Sequence, residues 1–221
     1  MVDLKINGHG SSAGGKYNSV LINGHGRIEG DLDCVYLKIN GHCAVNSHVK
    51  ADSVNVHGNT SIKGNLEAKE AKIHGTADIK GNMSVEEAET YGSISVDGYC
   101  NAETFKIEGT FTIGELLNAG ELELSLYGPS TAREIGGDKI TVKNKGKYDF
   151  LGLKSLIMPG GSKELTVDVI EGDDIYLENT QAKVVRGNNV DLGPDCEIEL
   201  AEYKDSLKQD ETTDVGTQSK I

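Results

Sequence analysis

Histidines recur at a fixed interval and are the side chains of this chain best suited to metal binding or proton transfer. His25 and His42 are seventeen residues apart, and so are His57 and His74. If that interval is one structural repeat, the members of a pair lie side by side on an outer surface, about 5 Å apart. No acidic residue recurs in these columns to orient the rings, and Asn40 precedes His57 at the same interval. The pattern favours a polar ladder over a metal site.

Other chemical motifs are weaker. The stretch Asn23-Gly24-His25-Gly26 does not lie between a strand and a long helix, so a phosphate-binding loop is not predicted. The acidic run at Glu86, Glu87 and Glu89 is typical of a solvated corner. No nucleophile elbow and no clustered metal ligands are found. We expect no catalytic, cofactor-binding or metal-binding residues, and therefore no enzyme.

The element that positions these residues is a repeat of seventeen residues, present in six consecutive copies. Four columns follow it through all six copies. They are Ile22, Ile39, Val56, Ile73, Thr90, Ile107; Ile28, Val45, Ile62, Ile79, Val96, Ile113; Leu32, Val49, Leu66, Met83, Cys100, Leu117; and Gly24, Gly41, Gly58, Gly75, Gly92, Gly109. A short fixed period over many copies is the signature of a solenoid.

Within one repeat the apolar residues come as three pairs. The two members of each pair lie two positions apart, which is the period of a strand. The step from one pair to the next is three or four positions, which marks a corner. Six positions in each of six rungs make 36 inward positions, and none of them is charged. Gly26, Thr60 and Thr90 are the only ones that are not aliphatic, Cys or Phe. The pattern predicts an all-β, three-sided parallel β-helix over residues 1–124, right-handed as most crossover connections are.

The remainder of the chain is less regular. Residues 172–177 resemble residues 187–192 at an interval of fifteen, and residues 137–142 resemble both, which predicts an irregular β-rich continuation over 125–203. The apolar segment 148–159 is interpreted as an irregular rung or cap, with a docking patch as the alternative. Residues 11–18 are expected to loop out of the first rung, and the polar residues 204–221 to form a disordered tail.

Composition limits the partners and the compartment. The net charge is −13 and no basic patch is visible, so we expect no nucleic-acid partner and no membrane binding by charge. The N-terminus lacks the apolar region of a signal peptide, and no apolar run is long enough to span a bilayer. Cys34, Cys43 and Cys100 lie in apolar columns, so we expect them to be reduced residues of the core. A cytoplasmic location is expected.

A parallel solenoid exposes unpaired strand edges at its two ends, and soluble monomers must cap them. The repeat begins near residue 4 with no room for a capping helix, which predicts head-to-tail stacking of copies without a nucleotide. Leu4, Ile6, Val20 and Ile22 are the predicted polymer interface at the N-terminal end, and Ile198 and Leu200 at the C-terminal end. Replacing Ile22 by Lys is expected to block assembly and leave most rungs folded.

The rungs resemble those of bactofilins, the bacterial polymer-forming cytoskeletal proteins. The resemblance is carried by Ile22-Asn23-Gly24-His25, Ile62-Lys63-Gly64-Asn65-Leu66, Val96-Asp97-Gly98 and the later stretch Ile170-Glu171-Gly172-Asp173-Asp174-Ile175. It implies a right-handed β-helix that forms filaments without nucleotide and serves as a scaffold in cell shape, motility or envelope organisation. The implied partners are further copies of the chain and cell-envelope or membrane-associated proteins, at the inner face of the membrane.

Two other functions remain open at this point. A left-handed hexapeptide-type acyltransferase also has inward residues about six positions apart. A resemblance to that class would require glycine directly after the aliphatic residue and a turn of eighteen residues. Here glycine comes two residues after Ile22 and Ile62. A monomeric β-helix module that binds a wall polysaccharide would be expected to carry a flat aromatic face, and the outward columns hold few aromatics.

Overall fold

The computed structural model describes residues 2–145 and 165–221 of the chain. These residues form twelve strands that follow one another in a single sheet in chain order, each strand parallel to the next. The strands are β1 Val2–Ser12, β2 Gly15–Ile28, β3 Leu32–Val45, β4 Val49–Ile62, β5 Leu66–Ile79, β6 Met83–Val96, β7 Cys100–Leu126, β8 Ser130–Asn144, β9 Leu165–Leu177, β10 Thr180–Leu192, β11 Glu197–Gln209 and β12 Asp214–Lys220. The prediction of a parallel β-solenoid is confirmed.

The seventeen-residue register holds from β2 to β7. Gly15 pairs with Leu32, which is seventeen residues further on, and the same offset continues through the pairing of β6 with β7. Every one of the 36 inward positions is buried except Ala102, which is partly buried. The side chains interlock along the axis of the coil, so the core is a narrow column that extends from rung to rung.

Glycine makes the first corner of each rung possible. The column from Gly24 to Gly109 has φ between +117° and +155°, which L side chains rarely adopt. A Cβ on any of these glycines would also overlap the carbonyl group of the glycine one rung earlier. The corner therefore requires glycine in every rung, both for its conformation and for its space.

Side chains of one rung cap the backbone of the next at the second corner. His48 Nδ1 accepts a hydrogen bond from the backbone N–H of Asn65 at 2.9 Å, and Asn65 Oδ1 accepts one from the backbone N–H of Asn82 at 3.0 Å. A Cβ at Gly81 would lie 2.9 Å from the Gly64 carbonyl carbon and would overlap the Asn65 side-chain oxygen. The glycine in this column leaves room for the capping side chain.

The rung length varies in the second half of the chain. Gly172 pairs with Gly187 at an offset of fifteen residues, as the repeat in the sequence indicated, and Gly137 pairs with Gly172. The seventeen-residue register ends within β7 and β8, where the pairing shifts between Ile113 and Leu116. The segment 148–159 lies outside the described residues.

Two expectations about irregular segments are wrong. Residues 11–18 do not loop out of the first rung, because β1 continues to Ser12 and β2 begins at Gly15. Residues 204–221 are not a disordered tail, because β11 continues to Gln209 and β12 covers Asp214–Lys220. Both segments have few apolar residues, and backbone pairing with the neighbouring rung holds them in place.

One core residue has an unsatisfied polar group. Thr90 is 1 % exposed and its hydroxyl has no hydrogen-bond partner among the described residues, whereas the hydroxyl of Thr60 donates to the Cys43 carbonyl at 3.3 Å. We expect Thr90→Val to raise the free energy of unfolding by about 1 kcal/mol, because a buried unpaired hydroxyl is replaced by a methyl group of the same shape. Urea denaturation measures this change. Thr60→Val is the matched control and should gain less, and equal gains in the two variants would contradict the assignment.

Candidate functional site

The N-terminal end of the coil presents an unpaired strand edge. Strand β1 pairs with β2, and its other edge has no strand partner among residues 2–145 and 165–221. At this end Leu4 is half-buried and Ile6 is 6 % exposed, so both side chains point toward the core. They are the apolar inward residues of the terminal strand.

Two of the predicted interface residues lie one rung deeper. Leu4 pairs with Val20 and Ile6 pairs with Ile22, so β1 covers both residues. Val20 and Ile22 are 0 % exposed. A lysine at position 22 would therefore enter the core instead of the end surface, and the expectation that Ile22→Lys leaves most rungs folded has no support in this geometry.

The predicted residues of the C-terminal end are also covered. Ile198 pairs with Val215 and Leu200 pairs with Thr217, so β12 lies over β11 at this place. Ile198 is 2 % exposed and Leu200 is half-buried. The terminal strand of the described residues is β12, which the sequence analysis assigned to a disordered tail.

Polar side chains replace aliphatic ones at inward positions of the C-terminal rung. Gln209 pairs with the core residue Leu192, and Gln218 pairs with Ala201. The Gln209 amide donates to the Thr213 carbonyl at 2.7 Å, and the Gln218 amide donates to Gln209 Oε1 at 2.9 Å. These side chains form a hydrogen-bonded cover over part of the core.

The N-terminal rung has a smaller polar cover. The hydroxyls of Ser12 and Tyr17 lie 3.2 Å apart, and the Tyr17 hydroxyl donates to the Gly14 carbonyl at 3.1 Å. Ser12 and Tyr17 pair with the core residues Ile28 and Cys34. Leu4 and Ile6 remain as the apolar side of this end. Extending the inward columns of the repeat into residues 12 and 17 would have revealed the polar substitution.

Two polar columns flank the glycine corner along one edge of the coil, which we call the histidine edge. One column continues from Asn7, Asn23 and Asn40 to His57, His74 and Tyr91; the other contains His9, His25 and His42. The amide of Asn23 donates to Asn7 Oδ1 at 2.9 Å, and that of Asn40 to Asn23 Oδ1 at 2.8 Å. A polar ladder is the arrangement that the sequence indicated.

The rings of the histidine edge stack on one another. His9 and His25 have ring centroids 4.7 Å apart with parallel planes, and His25 and His42 are 5.9 Å apart and tilted by 36°. His57 stacks on His74 at 4.8 Å, and His74 stacks on Tyr91 at 4.9 Å. His9 is sixteen residues before His25, so the interval of seventeen alone does not place it in this column.

Charged residues on the outer faces pair between rungs. Lys72 contacts Glu89 at 3.4 Å, Lys139 contacts Glu121 at 2.6 Å, and Lys50 contacts Glu67. The hydrogen bond with Glu121 raises the pKa of Lys139. Such exposed pairs contribute little to stability, and they favour the observed register over a shifted one.

No three His, Cys, Asp or Glu side chains among the described residues are placed to hold one metal ion. Burial raises the pKa of the Cys34 and Cys43 thiols to about 11 and that of Cys100 to about 12, so these thiols are inert at neutral pH. In the open groove beside Gly172, Arg186 is paired with Glu171 at 3.2 Å and Glu202 at 2.7 Å.

The part of the chain that the structure describes contains no helix with the length and apolar character needed to cross a bilayer.

The chain was compared with known proteins. Residues 2–84 match the family model described as "Bactofilin: Polymer-forming cytoskeletal", which confirms the resemblance over these residues. The chain is 41% identical over 107 residues to "Uncharacterized protein YhbF" of Bacillus subtilis (strain 168), an alignment that covers 48% of this chain and 42% of that protein. It is 44% identical over 111 residues to "Uncharacterized protein YhbE" of the same strain, covering 49% of this chain and 44% of that protein.

The chain thus spans less than half the length of the curated relatives that it matches. No solved structure matches it.

Proposed function

We propose, from the bactofilin match over residues 2–84, that this chain is a structural scaffold that assembles end to end into filaments. The matched region holds strands β1 to β5 and therefore the whole N-terminal end of the coil. The description of that family as polymer-forming and cytoskeletal is the observation that carries the proposal, and it favours a scaffold over an acyltransferase or a monomeric binding module.

The physical basis is the unpaired edge of a parallel coil. A second copy that stacks on β1 supplies the backbone hydrogen bonds that the edge lacks and buries Leu4 and Ile6. Both contributions come from the chain itself, so assembly needs no nucleotide. A head-to-tail contact continues the coil in the same strand direction, since every neighbouring pair of strands in the sheet is already parallel.

The interface residues of this proposal follow the terminal strands. Leu4 and Ile6 remain the N-terminal candidates. At the C-terminal end, Leu207 of β11 and Val215 of β12 are partly buried apolar residues of the last turn and take the place of Ile198 and Leu200. Val20 and Ile22 then act as the support beneath β1.

The proposed location of the protein is the cytoplasm, at the inner face of the membrane. Cys34, Cys43 and Cys100 are buried thiols of the core, as is usual in a reducing compartment. The net charge of −13 disfavours nucleic acid as a partner. Cell-envelope or membrane-associated proteins are the proposed partners besides further copies of the chain.

Leu4→Lys is the variant that tests end-to-end assembly. A lysine in the terminal strand places a charge on the surface that a second copy would cover, so we expect the large species of the wild type to be lost. Sedimentation velocity over a range of protein concentrations measures this loss.

Leu116→Lys is the matched control. Leu116 is half-buried in β7 and pairs with Glu134, so a lysine there adds the same charge far from both ends and beside an opposite charge. We expect Leu116→Lys to assemble as the wild type does. Equal assembly of Leu4→Lys and Leu116→Lys would contradict the N-terminal interface, and a wild type that stays monomeric would contradict the function.

A further inference from the structure

We infer that the histidine edge binds divalent transition-metal cations, with stacked imidazoles of neighbouring rungs as the ligands. The inference rests on the ring geometry alone and does not depend on assembly of the chain. Neutral imidazole suits Zn²⁺, Cu²⁺ and Ni²⁺, which are the cations that such a site would take.

The histidines are held at a spacing that two ligands of one ion can reach. Ring centroids are 4.7 Å apart in the His9–His25 pair and 4.8 Å apart in the His57–His74 pair. Two nitrogens bound to one Zn²⁺ at about 2.0 to 2.1 Å each lie roughly 3.3 Å apart in tetrahedral geometry. Tilting the two rings toward each other closes this gap, and the torsion next to the ring is broad and soft.

The backbone under the pair is rigid, whereas the rings are free to move. All of His9, His25, His57 and His74 are exposed, so their rings can rotate without disturbing the core. The strands below them are fixed by the parallel ladder and by the glycine corner. A preorganised backbone lowers the entropic cost of bringing two ligands to one ion.

Nearby charges differ between the two pairs. Arg27 follows His25 on the same face of β2 and lies 4.0 Å from Glu29, so its charge is only weakly compensated. Lys72 precedes His74 and is paired with Glu89 at 3.4 Å.

No third protein ligand converges on either pair among the described residues, so water completes the coordination and the site is open.

Binding at the first pair has a structural consequence. His9 belongs to β1 and His25 to β2, so one ion joins the terminal strand to the rung beneath it. The bound cation therefore slows the opening of β1. Hydrogen exchange of the β1 amides should become slower when Zn²⁺ is added, while that of β11 and β12 stays unchanged.

The test is isothermal titration of the untagged full chain with ZnCl₂ at pH 7.4. The double variant His25→Asn/His74→Asn breaks both stacked pairs, and asparagine already occupies both columns at Asn59 and Asn40. We expect its Zn²⁺ affinity to fall by at least about tenfold, the lower bound for losing a partner of a metal ligand. His48→Asn is the control, since His48 lies at another corner in a column that continues with Asn65.

Retention of wild-type affinity by His48→Asn, together with its loss in the double variant, supports the site. Equal Zn²⁺ affinity of the wild type and the double variant overturns the inference. A titration of the wild type with no saturable heat signal, released or absorbed, overturns it as well. Circular dichroism of both variants checks that the coil is intact, so that loss of binding is distinguished from loss of fold.

Discussion

Gly58→Ala is expected to lower the free energy of unfolding by about 3 to 5 kcal/mol, because it combines backbone strain with a steric overlap. Gly58 has φ of +130°, and a Cβ on it would lie 3.0 Å from the Gly41 carbonyl carbon and overlap the carbonyl oxygen. The atom that it meets is backbone of the neighbouring rung, which cannot move without breaking the ladder. Urea denaturation followed by circular dichroism measures the loss.

Gly8→Ala separates the two contributions. Gly8 also has a positive φ, +80°, but no atom of the described residues lies within 4 Å of its missing Cβ. We expect this variant to lose about 1 to 2 kcal/mol, the cost of the left-handed conformation alone. If Gly58→Ala proves as stable as Gly8→Ala, then the contact between successive corner glycines does not restrict the coil.

Phe105→Ala is expected to destabilise the coil by about 3 to 5 kcal/mol, the usual cost of removing a buried phenylalanine. Phe105 is 1 % exposed and follows Ala71 and Ala88 in its column, so it fills space that these small residues leave open. The variant would place three alanines in successive rungs and leave a cavity in a core that is only one coil wide. Chemical denaturation is again the measurement.

Ile107→Val on the same strand is the comparison for Phe105→Ala. It removes a single methylene-sized group from a residue that is 0 % exposed, and about 1 kcal/mol is expected. A loss for Phe105→Ala no larger than that of Ile107→Val would show that the core relaxes around the cavity, contrary to a tightly stacked column.

The regular half of the fold could be predicted from the sequence because a single interval controls both the backbone pairing and the burial. One face of each strand is buried, so a shift of one residue would expose the whole inward set. The columns through Ile22, Ile28 and Leu32 therefore specify the register without further information. The first rung deviates by one residue, so the interval of seventeen alone does not place His9 beside His25.

The ends were harder to predict, for a physical reason. A terminal rung has a neighbour on one side only, so its inward positions accept polar residues such as Gln209 and Gln218. The apolar pattern in the sequence then no longer indicates a strand, although the strand still forms by backbone pairing with the previous rung. The predicted interface residues Ile198 and Leu200 consequently lie one rung before the terminal strand β12.

The histidine edge shows the difference between proximity and function. The interval of seventeen residues placed the histidines side by side, but ring orientation and exposure could not be read from it. The structure adds parallel rings at 4.7 and 4.8 Å on a rigid backbone, which is the geometry on which the inferred cation site depends.

The most direct test of the scaffold proposal is negative-stain electron microscopy of the purified full chain in a buffer without nucleotide. We expect thin, unbranched filaments about one coil wide, whose length increases with protein concentration and which are lost in Leu4→Lys. Discrete small particles at every concentration and salt would contradict end-to-end assembly and leave the chain as a capped, monomeric coil.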